Sequence, residues 1–280
     1  MPSSPMPTMD SQRRGAAFLG AMDSATDMRV LILGGTAEAR LLAERLFARG
    51  GFSITLSLAG RTAAPAAQKV PVQVGGFGGA DGLADHLRRE RIDVLIDATH
   101  PYAAIISANA ARAAHAAGVA LLGLHRPPWS PVAGDRWTFV PDAKAAVQAL
   151  GPAPRRVFLA LGRKELAPFC RAPQHFYLVR SVDPVEPPLA VPHTTYLLGR
   201  GPFAEDADRA LLTEHRIDLI VAKNSGGTAT YGKIAAARAL CLEVIMLRRP
   251  VLPNIPAVAT VDEALAWLDH ARTSAAERGV

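Results

Sequence analysis

Cysteine is almost missing from this chain of 280 residues: Cys170 and Cys241 are the only two. They are too few and too far apart for a disulfide framework or a thiolate metal site, which points to a reducing, cytoplasmic setting. The eight histidines form no ligand cluster with them, so no metal is expected. No apolar run approaches the roughly 18 residues that would span a bilayer, so no membrane association is expected. Aromatic residues are scarce, at 6% against a hydrophobic total of 49%, the profile of an Ala-, Leu- and Val-rich α/β protein. Runs of Lys or Arg are missing as well. The net charge is +6, but the cations are scattered and no nucleic-acid reading motif occurs. A small polyanion suits this balance, and no nucleic-acid partner is expected. The G-x-S-x-G elbow of a hydrolase does not occur. Gly227-Thr-Ala-Thr-Tyr-Gly232-Lys233 satisfies G-x-x-x-x-G-K, but Ile234 follows where a P-loop needs Ser or Thr to hold magnesium, which argues against an NTPase.

Residues 1–27 read as a disordered leader outside the fold, with Met28 a candidate true start. The chain is then organised around Arg29-Val-Leu-Ile-Leu-Gly-Gly-Thr-Ala-Glu-Ala-Arg40. Val30 to Leu33 predicts a buried parallel strand, broken by Gly34-Gly35. From Ala37 the spacing turns helical, with Leu41, Leu42 and Leu46 expected on one face. A strand running through glycines into a helix aims backbone N–H groups and the helix dipole at one point, which suits a phosphate. The match to G-x-G-x-x-G is imperfect, because Thr36 stands at the second glycine and Ala39 at the third, where Ala is allowed. A plain tight turn is the other reading.

Strands are expected over Phe52–Leu58, Val70–Val74, Asp93–Asp97 and Val119–Leu124, with helices over Asp81–Arg89 and up to Ala117. This βαβ series predicts a parallel, doubly wound sheet. Pro127, Pro128 and Pro131 then break the pattern. Beyond them the series restarts: Arg91-Ile-Asp-Val-Leu-Ile96 returns as Arg216-Ile-Asp-Leu-Ile-Val221, and His125-Arg126-Pro127 as Arg248-Arg249-Pro250. Val30 to Gly35 with Glu38 returns as Val157 to Gly162 with Glu165. Three echoes in one order predict a duplication, with lobes at 28–130 and 131–280. The carboxyl ends of both sets of strands would border one shared cleft.

An Asp or Glu at the end of the second strand would read the ribose hydroxyls of NAD and repel a 2′-phosphate. This chain has Ser57, Gly60, Arg61 and Thr62 there instead. Arg matches a phosphate in charge and fork geometry, which favours NADP(H), with a solvated loop arginine as the alternative. Asp97-Ala-Thr-His-Pro-Tyr102 ends the fourth strand, near where a nicotinamide would lie. Thr99 could touch the cofactor and His100 could give a hydrogen bond or a proton, or simply anchor the loop. In the second half, Gly162-Arg163-Lys164, Arg180-Ser181, Gly199-Arg200-Gly201 and Lys223-Asn224-Ser225-Gly226-Gly227 would place cations at successive strand ends. Such a rim suits a substrate with several carboxylates.

Taken together, Leu33-Gly-Gly-Thr-x-Glu-Ala39, Ser57-x-Ala-Gly-Arg61 and Asp97-Ala-Thr-His-Pro-Tyr-Ala103 resemble the precorrin-6A reductase family of cobalamin biosynthesis. His125-Arg126-Pro127 with Trp129, and Lys223-Asn-Ser-Gly-Gly227 with Lys233, continue the likeness; Ala229 departs from it, where glycine is expected. The resemblance implies two Rossmann-like lobes and NADPH-dependent hydride transfer to one carbon–carbon double bond of a carboxylate-rimmed tetrapyrrole, giving precorrin-6B. It implies that Gly34, Gly35 and Thr36, with Glu38 beside them, hold the pyrophosphate. Ser57, Gly60, Arg61 and Thr62 would hold the ribose phosphate, and Gly75 and Gly76 would let the backbone approach. Thr99, His100 and Tyr102 would line the nicotinamide and macrocycle side, with Tyr102 among the substrate contacts. Arg126, Arg180, Arg200, Lys223, Asn224, Ser225, Gly226 and Lys233 would face the substrate. Because hydride transfer is the cofactor's chemistry, positioning is expected to dominate over any single acid. A cobalt-containing precorrin, NADH, or a non-catalytic two-lobed anion receptor are the alternatives.

Overall fold

A computed structural model describes residues 27–60 and 67–278, with side chains up to residue 273; the expected leader, apart from Asp27, and both Arg61 and Thr62 lie outside the described residues. The first half runs β1 (Met28–Leu33), α1 (Ala37–Arg49), β2 (Phe52–Leu58), β3 (Val72–Val74), α2 (Gly79–Arg89), β4 (Val94–Asp97), α3 (Ala104–Ala117) and β5 (Ala120–Leu124). Then come β6 (Arg136–Val140) and α4 (Ala143–Ala149). The second half repeats the scheme with β7 (Arg156–Ala160), β8 (Phe176–Ser181), β9 (Thr194–Leu198), α5 (Glu205–Glu214), β10 (Leu219–Lys223), α6 (Gly232–Ala239) and β11 (Glu243–Leu247). It closes with β12 (Ala257–Val258) and α7 (Val261–Arg278).

All the strand pairs are parallel, in two six-stranded sheets ordered β12-β5-β4-β1-β2-β3 and β6-β11-β10-β7-β8-β9. Each has the doubly wound order 3-2-1-4-5-6. The sixth strands are exchanged. β6 follows β5 in the chain yet pairs with β11, where Arg248 N donates to Val140 O at 2.8 Å. β12 follows β11 yet pairs with β5, where His125 N donates to Val258 O at 2.9 Å. Residues 257–278 therefore join the first sheet, whereas the boundary expected from sequence assigns them to the second lobe.

The exchange decides the packing. α1 buries Ala39, Leu42, Ala43 and Leu46 together with Val261, Ala264, Leu265 and Leu268 of α7, so two helices far apart in sequence cover one face of the first sheet. Leu41, expected on that face, is instead half exposed. Leu83 and Leu87 of α2 and Ala110 and Ala113 of α3 cover the opposite face. In the second lobe α4 shares a core with Leu166 and Phe169, while α6 and the end of α5 close the other face.

The duplication reaches the backbone. Arg91 and Arg216 both have φ 49°, a left-handed turn before a strand. Asp93 and Asp218 each accept from the N–H of the strand beside them, at Arg29 (2.7 Å) and Arg156 (2.6 Å). The halves differ at one place: β1 runs into the thirteen-residue α1, but β7 runs into two short 3-10 turns, Arg163–Glu165 and Ala167–Arg171. Pro168 would interrupt a helix grown from Gly162, since it lacks an N–H and clashes with the preceding turn. Among the described residues no helix is long and apolar enough to cross a membrane.

Candidate functional site

In the first lobe the strand order reverses between β1 and β4, and in open α/β sheets ligands bind beyond the carboxyl ends of the strands at such a point. At Gly34 a Cβ would lie 2.7 Å from Leu56 Cδ1, so a larger residue would have to push that side chain aside, while the Gly34 N–H bonds Ser57 O at 2.8 Å. Gly35 adopts φ +111°, with open space where a side chain would project. Thr36 caps α1 by accepting from Ala39 N at 3.1 Å and donates to Ala98 O at 2.8 Å, tying the turn to the end of β4. Gly60 and Gly75 adjoin beside it at the ends of β2 and β3, with Gly76 next to open space.

Thr99 turns inward. Its N–H and hydroxyl both donate to Asp97 Oδ1, at 3.1 and 2.7 Å. Asp97 is fully buried, and its other oxygen lies 3.5 Å from His125 Nε2. Burial pushes the Asp97 carboxyl up, but hydrogen bonding to His125, Ser107 and Thr99 outweighs it and holds the group below the usual range.

The lobes meet along a polar seam. His100 Nε2 lies 3.2 Å from Ser225 Oγ, and Tyr102 N–H donates to His100 Nδ1 at 3.3 Å. The Tyr102 hydroxyl donates to Leu247 O and accepts from Asn224 N at 2.8 Å; burial raises its pKa to about 12. Asn224 spends its side chain on the main chain of Trp129, accepting at 2.7 Å and donating at 2.8 Å. Gly226 is pressed on Pro127, whose O would lie 2.1 Å from a Cβ. Arg126 bridges Glu38 Oε2 at 2.5 Å and Ser225 O at 2.6 Å. Glu38, at the start of α1, is thus drawn to the second lobe. Arg249, which the sequence reading did not single out as a site residue, donates to the carbonyls of Asn224, Arg126 and Pro127 at 2.8, 2.9 and 3.2 Å. The echo between Arg126-Pro127 and Arg249-Pro250 was its only signal.

A cleft of about 660 Å³ opens at the carboxyl ends of β7, β8 and β10. Arg163, Lys164, Arg180, Lys223, Lys233 and Ser225 line it. Arg200 is exposed and lies outside that lining, although Gly199 belongs to it. Two of the cations are already neutralised: Arg180 forms a buried ion pair with Asp208 while stacking 3.8 Å from the Phe203 ring, and Lys223 bonds Glu165 at 2.5 Å. Lys233 is buried with Thr230 O, at 2.5 Å, as its only hydrogen-bond acceptor among the described residues, and it lies 5.0 Å from the Trp129 ring. Burial, then the neighbouring Arg180, lowers its pKa to about 7, against the partial opposition of Asp208. Trp129 itself is held by Nε1 donating to Gly227 O at 2.7 Å.

The arrangement defines a class: an α/β protein of two Rossmann-like lobes, with a glycine turn and helix start in one and a cation-lined cleft in the other. The family model for "Precorrin-6x reductase CbiJ/CobK" matches residues 29–269, and the chain belongs to that family. It is 57% identical over 242 residues to the precorrin-6A reductase of Sinorhizobium sp, covering 86% of this chain and 93% of that one. It is 51% identical to the precorrin-6A reductase of Rhodobacter capsulatus, covering 88% and 98%. The cobalt-precorrin-6A reductase of Priestia megaterium is 27% identical, covering 84% and 96%. A solved structure of "CobK precorrin-6A reductase" superposes with a TM-score of 0.84 at 50% identity, covering 87% of this chain and 97% of that one.

Proposed function

We propose that this chain is a precorrin-6A reductase that uses NADPH, binding the dinucleotide at the first lobe and the carboxylate-rimmed macrocycle in the cleft of the second. The observation that carries the division of labour is the difference between the two switch points. Only the first ends its leading strand in a glycine turn and a capped helix, whose N–H groups and dipole suit a pyrophosphate. The second replaces the helix by 3-10 turns and supplies side-chain cations instead, which suit carboxylates.

The residues present fit a dinucleotide: a Cβ on Gly34 would crowd Leu56, and the space over Gly35 and Gly76 is open for a backbone-hugging phosphate. Gly35 and Thr36 would hold the pyrophosphate through main-chain N–H groups, because the Thr36 hydroxyl is engaged by Ala98, while Gly34, whose N–H is spent on Ser57 O, would shape the turn. Ser57, Gly60, Arg61 and Thr62 would hold the ribose phosphate. Bound NADPH would supply the hydride. The protein would fix distance and face, with Lys233 and Ser225 orienting the substrate's acid side chains and Lys223, paired with Glu165, supporting the cleft wall. Glu38 and Arg126, and likewise Thr99, Tyr102, Asn224 and Gly226, would act on the site's shape, since their polar or close contacts are made within the protein. The contrast between 57% identity to a precorrin-6A reductase and 27% to a cobalt-precorrin-6A reductase favours the metal-free substrate. Two free cysteines fit a reducing cytoplasm.

Fluorescence titration with NADPH and NADH, on the wild type and Arg61→Ala, tests the cofactor. Tight NADPH binding that weakens at least about tenfold in the variant is expected, the scale of one lost charge-assisted contact. Equal affinity for both nucleotides would remove Arg61 from the site. Loss of precorrin-6A absorbance, dependent on added NADPH, tests the reaction; no turnover would overturn it.

A further inference from the structure

The bonds around His100 fix where its proton sits. A main-chain N–H can only donate, so the Tyr102 N–H that reaches His100 Nδ1 at 3.3 Å leaves that nitrogen as an acceptor. The neutral ring then carries its proton on Nε2, which donates to Ser225 Oγ at 3.2 Å. A serine hydroxyl accepts and donates at once. With His100 filling an acceptor position, the hydroxyl proton of Ser225 is free to be given elsewhere. The rest of Ser225 is pinned: its O accepts from Arg126 Nε at 2.6 Å and its N–H bonds Lys223 O at 2.8 Å. Ser225 lines the same cleft as Arg163, Lys164 and Lys233. The acceptor such cations recruit is a carboxylate.

We propose that Ser225 is the hydrogen-bond donor which the seam presents to a substrate carboxylate, and that His100 is the residue that positions it. His100 acts through Ser225: its Nδ1 accepts from Tyr102 N–H, and its Nε2 donates to Ser225 Oγ. The role rests on the substrate reading above, while the ring's tautomer stands apart from it.

The test uses the full-length protein saturated with NADPH. Ser225→Ala should raise KM for precorrin-6A about tenfold, the scale of a hydrogen bond to a charged group, and leave kcat within about threefold. His100→Asn keeps an acceptor for Tyr102 N–H but loses the donor, and should match Ser225→Ala. His100→Gln places an amide N–H where Nε2 stood and should restore KM. The double variant Ser225→Ala/His100→Asn should be no worse than either single change, because the two act as one unit. NADPH affinity should hold throughout. A fall in kcat above about a hundredfold at unchanged KM in His100→Asn, or additive losses in the double variant, would overturn the proposal. A two-bond proton–nitrogen NMR spectrum of His100 reads the tautomer without any substrate. Protonation at Nε2 alone is expected; a proton on Nδ1 would also overturn the proposal. A wild type that turns over no precorrin-6A but shows the Nε2 tautomer would instead sink the substrate reading.

Discussion

His100 and Ser225 stand 125 residues apart at matching places in the two halves, the third residue after β4 and the second after β10, and their side chains meet at 3.2 Å. The same 125-residue offset separates Arg91 from Arg216 and Asp93 from Asp218, so residues at equivalent places in the two halves meet at this contact. The two cleft edges face each other there.

Arg126 holds that meeting together. Its guanidinium is mostly buried between Glu38 and Ser225 O. Arg126→Ala leaves Glu38 and the carbonyl unpaired and should cost about 2–3 kcal/mol, which lowers Tm by roughly 5–10 °C in a chain of this size. A thermal melt checks it; a shift below about 1 °C would mean that water substitutes fully for the pair.

Lys233 lowers stability for the sake of the cleft. Its folded-state pKa of about 7 lies below the ordinary 10.5, so the fold disfavours the charged amine. Below pH 7 both folded and unfolded chains are protonated, and the cost is present in full. As pH rises from 7 to 10.5 the unfolded chain holds the extra proton, so stability rises with pH. Lys233→Met should therefore stabilise the protein most at pH 6 and less by pH 9, while weakening substrate binding. Urea unfolding at the two pH values reads this, and a gain equal at both would show that the amine is solvated.

Arg180 and Asp208 form a pair with little exposure on either side. Asp208→Asn strands a buried guanidinium and should cost about 3–5 kcal/mol, whereas replacing both residues by apolar ones of similar volume should cost far less. Equal losses in the single and double variants, measured by denaturant midpoint, would contradict the pairing.

Deleting residues 255–280 removes β12 and α7, which complete the first lobe. NADPH affinity should disappear although the deletion is remote in sequence from Gly34. A truncated protein that keeps that affinity would show that the exchanged segment is dispensable.

Much of this was legible in the sequence. Apolar runs marked β1, β2, β4 and β5, and Gly34-Gly35 before helical spacing marked the turn. The cations at successive strand ends marked the second-lobe rim. What was hidden is tertiary. Nothing local says which sheet a two-residue strand such as Ala257–Val258 will join. Likewise the carboxamide of Asn224 and the hydroxyl of Tyr102 read as ligand contacts, until Trp129 and Leu247 are seen to occupy them. Leu41 misled for a simpler reason. Its spacing fits the apolar stripe, but α7 covers only the side bearing Leu42 and Leu46.

The exchanged sixth strands also bear on birth order. As the chain leaves the ribosome, the first sheet must wait with an open edge at β5 until residues 257–278 emerge, by which time the second lobe's strands have all been made. Neither half is a complete folding unit by itself. A nascent chain that stalls late yields no half-enzyme able to hold the nucleotide and waste its hydride, because the lobe that would bind it is closed by the final helix.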